Sequence, residues 1–198
     1  MIDEINNSER GKSLNHFKVA DNVNVLPMLK EVALQWFDFS WDTGRQDTIP
    51  EQRMTKTIYL RRAKLKTTDI HEDVDTTRDT ATYIRYPKVR EFMEWFEKEY
   101  GGEVYRVLIV YLPKDGVVDP HIDYGKYYAN KDRFHLVLSG YYENIVAVPT
   151  QYEDTDRELY SAGELWWFDN KKTHYVENKS EIPRIAIIFD SYKSNWQQ

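Results

Sequence analysis

From Gly102 onward the sequence is cut into short apolar stretches by turn residues, and this spacing constrains the fold more than any other feature. The stretches are Val104–Leu112, Val117–Asp123, Arg133–Leu138, Ile145–Val148, Glu164–Phe168, His174–Glu177 and Arg184–Phe189; Pro113-Lys-Asp-Gly116 closes the first. Short strands at regular intervals with turn signals between them predict a β-sandwich or small barrel. Fifteen tyrosines and six tryptophans against eight glycines favour strands and supply rings that pack while their polar tips find partners.

The first half reads differently. Met1–Asn22 is polar and weakly patterned, and is expected to be a loosely held arm. Leu29, Val32, Ala33 and Trp36 fall on one helical face after Pro27, a residue suited to a first turn. Phe39–Pro50 reads as a loop, and Thr55–Leu65 as a strand in which Ile58 and Leu60 alternate with polar neighbours. A second helix is opened by Pro87, lined by Val89, Phe92, Met93, Phe96 and Tyr100, and closed by Gly101-Gly102. The expectation is a mainly β fold with flanking helices (α+β), with two helices packed on the outside of one sheet. We read one domain over residues 1–198, divided into an arm (1–22), a flanking region (23–103) and a β core (104–190).

Composition excludes several functions. The absence of cysteine rules out disulfide scaffolds, thiolate zinc sites and thiol catalysis. A net charge of −6 argues against a surface built to neutralise duplex phosphates. The longest apolar runs, Val107–Leu112 and Ile185–Phe189, fall far short of the ~20 residues that span a bilayer. Met1–Arg10 has no signal-peptide core, so a soluble, cytoplasmic protein is expected.

Each of the five histidines can be weighed. His16 lies in the polar arm, where no catalytic role is expected. His71-Glu-Asp73 lies in the acidic run Asp69–Asp79, read as a solvated loop too mobile for metal geometry. His121 and Asp123 sit two apart at the end of an expected strand, hence on one face, and His174 opens a later strand. Two imidazoles and a carboxylate on rigid strands make the facial triad that holds Fe(II) with open positions. Arg184 follows in Arg184-Ile-Ala-Ile-Ile-Phe189, sharing a face with Ala186 and Ile188. An inward arginine in a barrel requires an anion, best a planar carboxylate. Arg133 and His135 repeat the pattern on the strand that continues Leu136-Val-Leu138.

The stretches Gly163-Glu-Leu-Trp-Trp-Phe-Asp-Asn170, His174-Tyr-Val-Glu-Asn178 and Arg184-Ile-Ala-Ile-Ile-Phe-Asp190, with Arg133-Phe-His-Leu-Val-Leu-Ser139, resemble the aspartyl/asparaginyl β-hydroxylase family. These are Fe(II)- and 2-oxoglutarate-dependent oxygenases with a double-stranded β-helix (jelly-roll, cupin-like) fold. The resemblance covers roughly residues 104–190. It implies that His121, Asp123 and His174 bind iron and that Arg184 holds the distal carboxylate of 2-oxoglutarate. Arg133 and His135 are then placed near the cosubstrate's other end or the substrate. Asp123 is similar to the metal carboxylate of the proline 3-hydroxylase-like branch and is lacking in peptide-modifying members, so the substrate in the family name does not carry over. The implied reaction hydroxylates an unactivated C–H of an amino acid or amino-acid side chain, using dioxygen and releasing succinate and carbon dioxide. The partners are a small-molecule or peptide substrate and dioxygen, with no membrane. Two alternatives compete: a cupin-like metal-binding protein without redox turnover, and an oxygenase acting on nucleic acid. The second rests on Arg53, Lys56, Arg61, Arg62, Lys64 and Lys66, read as a solvated face balanced by the acidic run that follows.

Overall fold

The computed structural model describes residues 15–63, 76–147 and 155–192. The strands are β1 (His16–Ala20), β2 (Lys56–Ala63), β3 (Thr77–Asp79), β4 (Val104–Leu112), β5 (Val117–His121), β6 (Lys131–Ser139), β7 (Tyr141–Ala147), β8 (Thr155–Ser161), β9 (Leu165–Phe168), β10 (His174–Glu177) and β11 (Arg184–Tyr192). The α-helices are α1 (Leu26–Leu34), α2 (Gly44–Thr48), α3 (Pro87–Tyr100) and α4 (Lys126–Ala129).

Strict alternation lets one strand serve two layers. Along β6, Phe134, Leu136 and Leu138 enter a core shared with the helices, while Val137 joins a second cluster and Arg133 and His135 line a pocket. On β11 the same rule sends Ile185, Ile187 and Phe189 to the helix side and Arg184 and Ile188 to the pocket. Helix α3 fits the helix-side core as its spacing predicts, burying Val89, Phe92, Met93, Phe96 and Tyr100. It ends at Gly101, whose left-handed φ of 71° a side chain would resist. Phe96 lies edge-on to Phe134 and Phe189 at 5.0 and 4.8 Å between ring centroids, so α3 is fixed to β6 and β11 by aromatic contacts. Such pairs contribute about 0.5–1.5 kcal/mol beyond area burial.

The strands form a seven-stranded sheet, ordered β1-β9-β6-β11-β4-β2-β3, and a four-stranded sheet, ordered β5-β10-β7-β8. Leu112, Val137 and Trp166 of the larger sheet pack with Val118, Tyr142, Tyr160 and Val176 of the smaller one. Two antiparallel sheets closed on a shared interior make a double-stranded β-helix, the mainly β architecture with flanking helices expected.

Four local expectations are corrected. The arm is not loose over His16–Ala20, which pairs with β9 from His16↔Phe168 to Ala20↔Leu165; residues 1–14 lie outside the described residues. Phe39–Pro50 is no loop: it holds the end of a 3-10 turn (Trp36–Ser40) and α2, and Pro50 begins another turn (Pro50–Gln52). The first helix buries Val32 and packs Leu29 on the core as expected, but it buries Met28 rather than Ala33, and Trp36 is 46% exposed. Strand β5 ends at His121, two residues early, and β3 and β8 were not anticipated. His71-Glu-Asp73 and the ends of two expected strands, Leu65 and Val148, lie outside the described residues.

Candidate metal centre and active site

Strands β5 and β10 are antiparallel neighbours, and His121 and His174 are direct partners in their register. Their ring centroids are 4.3 Å apart. Each Nδ1 donates to a backbone carbonyl two residues earlier: His121 to Asp119 at 2.8 Å and His174 to Lys172 at 2.9 Å. That bond fixes the tautomer and leaves Nε2 of both rings with its lone pair.

Asp123 lies beyond the end of β5, so strand alternation does not aim it. Asn170, in the turn before β10, accepts the Asp123 backbone N–H at 3.0 Å and donates its side-chain amide to Oδ2 at 2.9 Å. Arg133 donates to the same Oδ2 at 2.5 Å. Both side-chain bonds fall on one oxygen, which leaves Oδ1 for a metal. One ligand atom from each of His121, Asp123 and His174 lies within 4.8 Å of the others. Two imidazole nitrogens and a carboxylate oxygen are a donor set that suits Fe(II) with open positions.

The charges are set by burial and neighbours. Burial works against the Asp123 carboxylate, but Arg133, His174, Asn170 and His121 outweigh it and hold its pKa down at about 2. Burial lowers His174 to about 4, against the pull of Asp123. His135 is pushed well below its ordinary value by burial and then by Arg184 and Arg133, so it is neutral. Its Nδ1 lies 2.7 Å from the Tyr142 hydroxyl.

A pocket opens beside the triad, lined by residues of both sheets and of the segment that holds α2. Arg184 lies in its wall and is 1% exposed. Its guanidinium carbon sits 4.1 Å from the Tyr142 ring centroid, and its Nε and one terminal nitrogen are buried without a partner. Buried donors left unpaired on a charged group are costly.

Arg133 differs from Arg184 in this respect. Its direct cross-strand partner on β11 is Asp190, which it grips through two bonds of 2.8 and 3.2 Å. With the bond to Asp123, that commits most of its donors within the protein. Arg133 therefore orients the Asp123 carboxylate from the pocket wall. The reading from sequence did not find Asn170, Tyr142 or Asp190 as supports, although Asn170 and Asp190 end two of the stretches quoted for the family resemblance. It also missed Arg45, inside the stretch Phe39–Pro50 taken as loop, and Gln52 just after it, both of which line the cavity. Of the basic run, Arg53 pairs with Asp119, Arg61 with Asp79 and Arg62 with Asp42; Lys64 and Lys66 lie outside the described residues. No helix among the described residues is long and apolar enough to cross a membrane.

A family model described as aspartyl/asparaginyl β-hydroxylase matches residues 36–194. No curated protein matches the sequence. Among solved structures, an oxidoreductase of the 2OG-Fe(II) oxygenase family from Burkholderia pseudomallei superimposes with a TM-score of 0.52 at 12% identity, covering 70% of this chain and 66% of its own. The alignment thus spans just under two-thirds of that protein, and at this identity it shows a shared fold. More distant are an oxalate oxidase in complex with the substrate analogue glycolate (TM-score 0.41, 12% identity, 78% of this chain and 60% of that one) and a Drosophila melanogaster CENP-C cupin domain (0.36, 9%, 43% and 59%).

Proposed function

The chain belongs to the aspartyl/asparaginyl β-hydroxylase family, and from that premise we propose that it is an Fe(II)- and 2-oxoglutarate-dependent dioxygenase that hydroxylates an amino acid or amino-acid side chain. The observation that carries the reading is the buried guanidinium of Arg184, two of whose nitrogens have no partner, in the wall of the cavity beside the triad. A structural metal site has no use for a buried cation; a dicarboxylic cosubstrate anchored on the metal at one end requires one at the other. This favours an oxygenase over a metal-binding protein without turnover.

Iron with 2-oxoglutarate and dioxygen would supply the oxidising power, converting 2-oxoglutarate to succinate and carbon dioxide while one oxygen atom enters a substrate C–H bond. The protein's own work is positional. His121, Asp123 and His174 hold the metal through three ligands and leave the pocket side open. Arg184 takes the distal carboxylate through two parallel hydrogen bonds, with the Tyr142 ring beneath it. Neutral His135, held by Tyr142, adds a polar contact without adding charge. Arg133 keeps Asp123 ionised and aimed. Val110, Val118, Phe168, Val176 and Ile188 supply apolar walls that limit water.

The test is a screen of free amino acids and short peptides for substrate-stimulated succinate release in the presence of Fe(II). A compound that raises succinate and gains one oxygen atom is the expected result. Failure of 2-oxoglutarate to bind the metal-loaded protein refutes the reading.

A further inference from the structure

The cavity carries more positive charge than the metal centre and its cosubstrate account for. Its lining includes Arg45, Arg133 and Arg184 and no carboxylate. Arg133 is matched by Asp123 and Asp190. Under the proposed function Arg184 is matched by the distal carboxylate of 2-oxoglutarate, whose other carboxylate belongs to the metal. Arg45 is left over. It sits on α2, its Nε is buried without a partner, and it forms no ion pair among the described residues. It is near enough to His135 to help hold that ring neutral, so its charge is felt inside the pocket. The segment that carries it is fixed to the metal-bearing strand, because Arg53 pairs with Asp119 on β5.

We infer that Arg45, with buried Gln52 beside it, forms a second anion subsite that takes a carboxylate of the primary substrate. The inference rests on the proposed function, in which both carboxylates of 2-oxoglutarate are already held elsewhere. Arg184 reaches the cavity from β11 of the larger sheet, whereas Arg45 reaches it from the helical segment outside the sheets, tied to β5. The two cations thus enter from different elements, one suited to each of two ligands. Under the proposed function the same pocket holds the cosubstrate as well. A single amino acid, presenting its α-carboxylate to Arg45, supplies the charge that this arginine lacks. A side-chain carboxylate of an acidic residue offers the same chemistry.

The test uses protein loaded with Zn(II) and 2-oxoglutarate, which binds without turnover, and calorimetric titration of three probe sets. These are the common free L-amino acids, their α-amides, and aspartate and glutamate blocked at both ends. At least one carboxylate-bearing probe should bind the native protein, with its amide bound far more weakly. Arg45→Gln should weaken that probe about 10- to 100-fold, the range for loss of a hydrogen bond to a charged group, while 2-oxoglutarate affinity stays within about twofold. Retained 2-oxoglutarate binding also shows that the variant is folded. Binding of free acids alone assigns the α-carboxylate, and binding of a blocked acidic residue assigns the side chain; either supports the subsite. Equal binding of acids and amides, no binding by any probe, or a loss of 2-oxoglutarate affinity in Arg45→Gln overturns it. If 2-oxoglutarate fails to bind the native metal-loaded protein, the proposed function itself falls.

Discussion

Replacing Arg184 by leucine should move stability and cosubstrate affinity in opposite directions. In the free protein Arg184 is 1% exposed, with Nε and one terminal nitrogen unpaired. A buried donor without a partner costs about 1–3 kcal/mol, and more when charged. Against this, the stacking on Tyr142 at 4.1 Å returns about 0.5–2 kcal/mol. Leucine removes the uncompensated charge, keeps an apolar stem and forfeits the stacking. The metal-free variant should therefore be as stable as the native protein or more stable by roughly 1–2 kcal/mol. For a chain of this size that is a rise in Tm of about 2–8 °C. With Mn(II) and 2-oxoglutarate the sign reverses. Truncating one member of a buried charge pair costs about 2–5 kcal/mol, so affinity should fall between roughly 30-fold and several thousand-fold. Scanning calorimetry without ligand and titration of 2-oxoglutarate into the Mn(II)-loaded proteins measure the two quantities. A variant that melts several degrees lower yet binds 2-oxoglutarate normally would refute the reasoning, because Arg184 would then be a structural residue with partners of its own.

The parts of this molecule that were legible in the sequence are those where one strand or helix carries its own pattern. Helix α3 was readable because Pro87, five core residues and Gly101 all fall within one amphipathic segment. Arg184 stood out because a charge interrupts the apolar alternation of β11. The illegible parts depend on partners distant in the chain. Strand β1 is five residues whose pairing lies with β9, so nothing local marks it as sheet. Helix α2 is five residues, shorter than the window in which a 3.6-residue period can show. Arg45 was hidden for that reason, being an ordinary arginine until α2 folds against the cavity mouth. The triad shows a subtler case. His121 and Asp123 were paired through a strand face, but the strand stops at His121. What aims Asp123 is Asn170 and Arg133, neither of which the two-residue spacing contains.

Asn170→Ala should leave the fold intact but lower Fe(II) affinity about 10- to 100-fold, read by competition with a chelating dye; unchanged affinity would mean the Asn170 bond to Asp123 does not position the ligand. His174→Ala should abolish stoichiometric Fe(II) binding while His71→Ala retains it, and equal loss in both would remove His174 from the ligand set. With Asp123 in the third protein position no site is left for a halide, so product made in the presence of chloride should gain one oxygen atom by mass, and a chlorinated product would overturn the ligand assignment. The last prediction concerns acid. Burial holds His174 at about 4, below the ordinary value near 6.5, so the folded state binds fewer protons than the unfolded chain between these values. The stability this contributes is full above about pH 6.5 and is lost as pH falls towards 4, on the order of 3 kcal/mol in all. Asp123, held at about 2 against roughly 3.9 when unfolded, extends the loss in the same direction below pH 4. Buried His135 and His16, whose values burial also lowers, add to the same limb. Urea midpoints of the metal-free protein should therefore fall from pH 7 to pH 4, and His174→Asn should make that limb shallower by its own share while leaving the decline below pH 4. An unchanged slope in His174→Asn would show that the imidazole is not buried in its neutral form, and would undo the account of how its Nε2 is kept free for the metal.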